Sequence, residues 1–215
     1  MRKPDFDPAR LADVVFTQYL LPEVMSRLPT NDLKIAFQFM GLVRSIDATS
    51  MRRVLQVGAG ELFAPWKQDD YQDLDARLRS TQLLIYDHRG KSLDIAYRRP
   101  IANHFRIHRP DDFDRINRVA IQMYEDNLAR GADLPGLWVG EIIYHRATLG
   151  EPSLSLVNVL SGMKSNFDHI RDLAERSGKW EWLRDALAGD VELAELTNEV
   201  PAMLALVEQW RSEVR

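Results

Sequence analysis

The sequence predicts a mainly α-helical protein that contains one β-hairpin. Apolar residues recur at helical spacing over most of the chain, beginning with a helix over residues 8–28 in which Pro22 suits the first turn of a second piece. Two segments, 82–87 and 92–97, are instead typical of paired strands. Between them lies Gly90, which is free to adopt the positive φ that a tight loop requires.

Three helices are expected ahead of the hairpin. Residues 30–32 offer an N-cap to a helix that is apolar on two faces, which places it at the centre of the first domain. A short helix follows near 50–56, and the third has Tyr71, Leu74 and Leu78 at helical spacing. A further helix, roughly 100–107, should follow the second strand. Three helices followed by a hairpin are typical of a winged helix, so the sequence predicts that fold here.

The second half of the chain is predicted to consist of antiparallel helix pairs. A helix that begins at Asp111 and stops at Gly131 precedes one over 139–149, and shorter amphipathic segments cover 154–163, 167–176 and 180–187. A last helix begins at Pro201. Such pairs with short loops are typical of tetratricopeptide-like repeats, although no strict period of about 34 residues is visible. The apolar stripes of the first and last helices are Phe113, Ile116, Ala120, Met123, Tyr124, and Met203, Val207, Trp210, Val214.

Charge changes sign near Pro110. The net charge of −4 is the sum of +4 over residues 1–110 and −8 over 111–215. We therefore expect a winged-helix domain over 1–109, together with its N-terminal helices, and a helical-repeat-like domain over 110–215. The absence of cysteine fits a reducing cytoplasm, and the sequence contains neither a secretory signal nor an apolar run that could cross a bilayer. A cytoplasmic protein without a membrane partner is expected.

Catalytic and metal-binding residues are not predicted. His104 and His108 lie four residues apart and could share a helix face as zinc ligands do, but no Asp, Glu or Cys at a suitable spacing joins them. His108 also falls where the helix should end. Glu141 and His145 are also four residues apart, and we again predict no metal site there. A catalytic nucleophile with its general base cannot be assembled from the serines. The sequence therefore predicts a protein that is not an enzyme and holds no metal or cofactor.

Basic residues on and after the hairpin are candidates for contact with nucleic acid or with a protein partner. They are His88, Arg89, Lys91, Arg98 and Arg99. The candidate recognition helix, however, pairs Asp73 with Arg77 and Asp75 with Arg79 at i, i+4 spacing, so its charge is largely self-neutralised. Because phosphate contacts supply most of the affinity for DNA, this pattern favours a partner-facing winged helix over a DNA reader.

Two stretches of the chain resemble a known family. Residues 74–90 and 95–105 resemble the winged-helix region of STAND-class signal-transduction NTPases, and residues 21–29 resemble the linker that leads into it. Residues 116–125 and 140–150 are similar to the first helix pair of the repeats that follow in such proteins, with Glu141, Tyr144, His145 and Gly150 carrying the likeness. No Walker A or Walker B segment is present. Where many members place a nucleotide-sensing histidine, this chain has Arg99-Pro100, with His104 displaced further along.

The resemblance implies a non-enzymatic regulatory module in which the winged helix is a lever and the repeats receive a partner. That partner is a protein, and a P-loop ATPase core supplied in cis or in trans is the one implied. The predicted partner-binding residues are Trp138, Glu141, Tyr144, His145, Trp180 and Trp182, whereas Trp210 is expected in the core. Two alternatives stay open: a stand-alone winged-helix DNA-binding transcription regulator with a helical effector domain, and a purely architectural adaptor.

Overall fold

The N-terminal segment is helical, as predicted, but it contains a π-helical turn. The structure is a computed structural model that describes residues 8–87, 90–130, 135–150, 155–166, 170, 172 and 180–213. Helix α1 (Pro8–Val15) runs through a π-helical segment (Phe16–Leu20) into α2 (Leu21–Arg27), and Pro22 lies in the first turn of α2. The chain divides into two compact units, Met1–Val119 and Ala120–Arg215.

Three helices and one extra turn form the centre of the first unit. They are α3 (Asn31–Met40), α4 (Ala48–Gly58), the single turn α5 (Gly60–Phe63) and α6 (Gln68–Ser80). Both faces of α3 are buried, as its two apolar stripes predict, since Leu33, Phe37, Phe39 and Met40 are almost inaccessible to solvent. On α6, the predicted core residues Tyr71, Leu74 and Leu78 are fully buried. The predicted order of three helices before a hairpin is therefore present.

The hairpin is shorter than the sequence suggests. Strands β1 (Leu84–Asp87) and β2 (Gly90–Leu93) pair antiparallel, and Gly90 has the expected positive φ, at 104°. The prediction that the second strand extends to residue 97 is wrong, because the Asp94 side chain accepts a hydrogen bond of 2.8 Å from the Ala96 N–H and so caps a helix. That helix, α7 (Ile95–His108), begins five residues before the predicted one and contains Pro100.

The described residues of the second half of the chain form helices joined by short connections. Its elements are α8 (Pro110–Ala129), α9 (Pro135–Leu149), α10 (Leu156–Asn166), α11 (Trp180–Ala188), α12 (Val191–Leu196) and α13 (Val200–Glu213). The predicted stripes Phe113, Ile116, Ala120, Met123, Tyr124 and Met203, Val207, Trp210 are buried, while Val214 lies outside the described residues. Most of the predicted helix over 167–176 also lies outside them, and α12 was not predicted.

Helix α9 is the centre of packing in the second unit. It contacts α10, α11 and α12, and α13 in turn packs on α10 and α11. A Cβ on Gly136 would lie 3.1 Å from backbone atoms of α11, so a glycine here permits the close approach of the two helices. The predicted domain boundary after residue 109 coincides with the start of α8, whereas the two compact units divide inside that helix.

Across the described ranges, none of the helices combines the length and apolar character needed to cross a membrane.

Candidate functional site

The basic residues of the hairpin are not arranged as an open cationic surface. Lys91 on β2 pairs with Asp75 on α6, and the two side chains are only 10% and 5% exposed. The carbonyl of Lys91 also accepts a 2.7 Å hydrogen bond from the Ile46 N–H. Lys91 therefore fastens the hairpin to the helices beneath it, and it does not extend into solvent as the sequence predicted.

The remaining predicted wing residues are divided between the interior, the surface and the undescribed loop. Arg98 is buried at 6% exposure, because it lies on the inward face of α7. Arg99, the next residue, is exposed. His88 and Arg89 lie outside the described residues. Within the described part of the hairpin and α7, Arg99 is thus the one member of the predicted set on the surface.

Charges on α6 are paired as the sequence predicts. Arg77 contacts Asp73 at 2.8 Å and also reaches Asp32 of α3 at 2.5 Å, and Arg79 pairs with Asp75. Burial would raise the pKa of Asp32, but hydrogen bonds from Arg77, from Thr30 and from the backbone hold it below its ordinary value. These ion pairs join α6 to α3 and neutralise the arginines that could otherwise approach a phosphate.

The N-terminal helix carries an exposed apolar face that was not predicted from the sequence. Its members, between 43% and 69% exposed, are Leu11, Val14, Val15, Tyr19 and Leu20. On the other side of the same segment Asp13 and Phe16 are buried, and α1 packs on α7 there. The sequence alone could have identified this face. Residues 11, 14 and 15 fall on one side of a regular helix, whereas residues 13 and 16 fall on the other side. We call these five residues the α1 apolar face.

The predicted partner-binding residues of the second unit are mostly in the interior. Glu141 and His145 on α9 are fully buried, Trp180 is 3% exposed, and Trp138 and Tyr144 are half-buried. They cannot form one exposed surface, because α9 is covered by the helices that surround it. Trp182, at 53% exposure, is the member of the set that faces solvent.

An aromatic stack explains why the α9 residues are buried. The Tyr124 ring lies 5.5 Å from that of Trp138 with an interplanar angle of 18°, and 5.8 Å from that of His145 with an angle of 25°. Trp180 packs in the same unit against Trp210, with ring centroids 5.4 Å apart. Large rings in such arrangements contribute packing energy to a core. Glu141 and His145, which carry the resemblance noted in the sequence, therefore belong to the packed interior of this unit.

Two histidines and an aspartate meet between α1 and α7. His104 Nδ1 lies 3.0 Å from Asp13 Oδ1, and His108 Nε2 lies 2.7 Å from Asp13 Oδ2. Burial would raise the pKa of Asp13, but the hydrogen bonds with both histidines hold it below its ordinary value. The expectation that no acidic side chain joins the histidines is wrong, because the partner comes from a helix 91 residues away. The expectation that the helix ends at His108 is confirmed.

Comparisons of the chain with protein-family models, with curated proteins and with solved structures give no match.

Proposed function

We propose that the chain is a non-enzymatic regulatory module of STAND type, in which a winged-helix-like first unit docks on a P-loop ATPase core. The single observation that carries the proposal is the α1 apolar face. Monomeric proteins rarely expose several large apolar side chains together, and where they do, the patch commonly serves association. The second unit is then the tetratricopeptide-like part, with Trp182 as the exposed aromatic available to a further partner.

The α1 apolar face has the composition of a docking surface. Complete burial of one large apolar side chain is worth about 1.5–3 kcal/mol relative to exposure. Each of the five residues is already partly covered, so we assign about 1 kcal/mol to each on binding. The sum of about 5 kcal/mol only matches the lower estimates of the cost of association, so the face supplies part of the binding free energy and polar contacts around it must supply the rest.

The contacts between the hairpin and α6 favour a rigid lever over a flexible arm. The Lys91–Asp75 pair joins β2 to α6, and Arg77 joins α6 to Asp32 on α3. A displacement imposed on the hairpin would therefore be transmitted to α6 and α3 as one body, because buried ion pairs hold only in a narrow geometry. A regulatory hinge needs this rigidity.

DNA binding is the alternative, and the same contacts count against it. Lys91 has a side chain only 10% exposed, Arg98 is buried, and the arginines of α6 are paired with aspartates. Asp73, with a side chain 67% exposed, would approach phosphate directly if α6 entered a groove. The specific observation that would favour DNA, an exposed row of basic side chains on α6, is not present in that helix.

The test is the capture of an ATPase from the cells that make the protein. The wild-type chain and the double variant Leu11→Ser/Tyr19→Ser are used as bait under identical conditions. Leu62→Ser is the matched control, because it makes the same chemical change at a leucine that is 37% exposed on α5. We expect wild type and control to enrich a P-loop ATPase equally, and the double variant to enrich it at least about tenfold less, which corresponds to 1.4 kcal/mol.

Three results would contradict the proposal. The first is recovery of no P-loop ATPase by the wild-type chain. The second is equal recovery by the double variant, since that would remove the α1 apolar face from the interface. The third is a dimer of this chain that the double variant dissociates, because the face would then be covered by a second copy.

A further inference from the structure

We propose that Asp13, His104 and His108 bind one divalent transition-metal ion, best satisfied by zinc, which fastens α1 to α7. The three residues offer one ligand atom each, and all three atoms lie within 4.8 Å of one another. The proposal is independent of the ATPase partner: zinc can bind whether or not a partner is captured, so the two can fail separately.

The donor set selects the class of ion. Two imidazole nitrogens and one carboxylate oxygen are the ligands that zinc uses when it has three protein ligands and an open fourth position. Calcium and magnesium prefer oxygen donors throughout, and neither suits a pair of imidazoles. The two histidines occupy positions i and i+4 of α7, which places them on one face of the helix one turn apart.

The geometry requires little movement to accept an ion. Zinc–nitrogen and zinc–oxygen bonds of about 2.0–2.1 Å at tetrahedral angles place neighbouring ligand atoms roughly 3.3 Å apart. The observed separations from the carboxylate of Asp13 are 3.0 Å to His104 and 2.7 Å to His108. The two separations involve different oxygens of the carboxylate, Oδ1 for His104 and Oδ2 for His108, and each would widen by a few tenths of an ångström. The remaining adjustment is bounded by the 4.8 Å within which the three ligand atoms already lie, and small side-chain rotations can supply it. The His108 side chain is half exposed, so its ring has room to turn.

The surroundings are those of a bound ion with one open side. Asp13 is buried, His104 is 21% exposed and His108 is 50% exposed, so access is from the His108 side. Phe16 packs beside the His104 ring, with centroids 6.1 Å apart, and closes the opposite side with an apolar wall. Thr17 Oγ1 lies 3.3 Å from His104 Nδ1. When that nitrogen binds the ion, the hydroxyl loses this hydrogen bond and becomes available to a water on the ion.

A π-helical turn lies directly beside the site. It begins at Phe16, three residues after Asp13, and widens the helix at the point where α1 meets α7. Turns of this kind inside α-helices are frequent at functional sites. They change the angular position of every later side chain relative to a regular helix.

An ion at this site would determine how firmly the α1 apolar face is held. Asp13 and the α1 apolar face lie on opposite sides of one short helix, and a short helix gains most of its stability from its packing. A metal that binds only the folded arrangement stabilises it by mass action. Zinc should therefore slow the opening of α1 more than that of the rest of the first unit.

The experiment is a titration of the full chain, with any affinity tag removed, by cobalt(II) chloride and then by zinc chloride. We expect one cobalt per chain with the visible absorption of a tetrahedral nitrogen–oxygen site, and its loss when zinc displaces the cobalt. His108→Gln and Asp13→Asn should each weaken zinc binding at least about tenfold, the lower limit seen for residues that merely support a metal ligand. His169→Gln removes a histidine that is not one of the three ligands and is the matched control.

A second measurement uses the wild-type chain, so that it does not depend on variants that fold. With ring-labelled histidine, zinc should shift two of the five histidine ring signals, and hydrogen exchange should slow in residues 8–15. Zinc binding that is equally tight in Asp13→Asn/His104→Gln/His108→Gln would overturn the proposal. So would the absence of saturable binding by the wild type, or a zinc-induced shift confined to other histidines.

Discussion

Removal of the Asp75 charge should destabilise the first unit by far more than removal of an exposed charge. Asp75 is 5% exposed and holds Lys91, which is 10% exposed, as well as Arg79. Asp75→Asn leaves the lysine ammonium buried without its carboxylate. Loss of one partner of a buried pair typically costs 3–5 kcal/mol, and partial access of Lys91 to solvent places our expectation at about 3 kcal/mol.

The matched control is the exposed ion pair of α2. Arg27 and Glu23 lie 2.7 Å apart in an i, i+4 pair, but their side chains are 66% and 62% exposed. Glu23→Gln should therefore leave the free energy of unfolding nearly unchanged. The double variant Asp75→Leu/Lys91→Met removes both buried charges together and should recover most of the stability lost in Asp75→Asn.

The assay must separate the two units, because a chain with two compact units need not unfold in one step. The chain has five tryptophans, of which Trp66 lies in the first unit. Its ring packs 4.7 Å from Phe63 and 5.5 Å from Tyr71 on α6. Incorporated fluorotryptophan therefore gives a fluorine signal at Trp66 that reports the urea unfolding of this unit, and Trp66→Phe assigns that signal.

The reasoning would be refuted if Asp75→Asn shifted the Trp66 transition no more than Glu23→Gln does. Lys91 would then be solvated in the native protein, and the hairpin would offer the exposed cation that the sequence predicted. A double variant less stable than Asp75→Asn would also contradict it, because the loss would then come from packing rather than from an unpaired charge.

Three further changes are expected to have distinct effects. Glu199 accepts a 3.1 Å hydrogen bond from the Val157 N–H. Burial raises the pKa of Glu199, but its hydrogen bonds hold it below the ordinary 4.5. The ionised Glu199 should therefore stabilise the fold by about 1 kcal/mol above pH 4.5, and this contribution should decline as the pH falls further. Unfolding measured over a series of acidic pH values should show the decline in the wild type but not in Glu199→Gln. Trp210→Ala should lower the free energy of unfolding by about 3–5 kcal/mol, because Trp210 is buried. Trp182→Ala should lower it by under about 1 kcal/mol, because Trp182 is exposed. Equal losses in thermal unfolding would contradict this. Gly90→Ala should cost about 1 kcal/mol at the φ of 104°, measured as faster hydrogen exchange in the hairpin; unchanged exchange would be inconsistent with that backbone conformation.

Local patterns in the sequence identified most of the elements. Helical spacing located the buried residues of α6, α8 and α13, since these depend only on which face of one helix is apolar. The end of β2 was mispredicted because residues 92–97 suit a strand by composition, whereas the Asp94 cap begins a helix. Propensity and capping favoured different structures at these positions, and capping prevailed.

The candidate sites depend on contacts between distant segments of the chain, which the spacing of residues within one segment cannot predict. Asp13 joins His104 and His108 only because α1 packs on α7, and nothing in the local sequence around either histidine indicates that approach. Burial of Glu141 and His145 depends in the same way on the helices that cover α9. From the sequence Lys91 is predicted to be an exposed wing residue, because nothing there indicates that it pairs with Asp75 on α6.

We propose that the α1 apolar face is the surface by which this chain docks on an ATPase core. Hydrogen exchange of the complex, compared with that of the free chain, tests it most directly. We expect slower exchange over residues 8–20 and no change over residues 60–63, where the matched control lies on α5. Unchanged exchange over residues 8–20 in a complex that is demonstrably formed would contradict it.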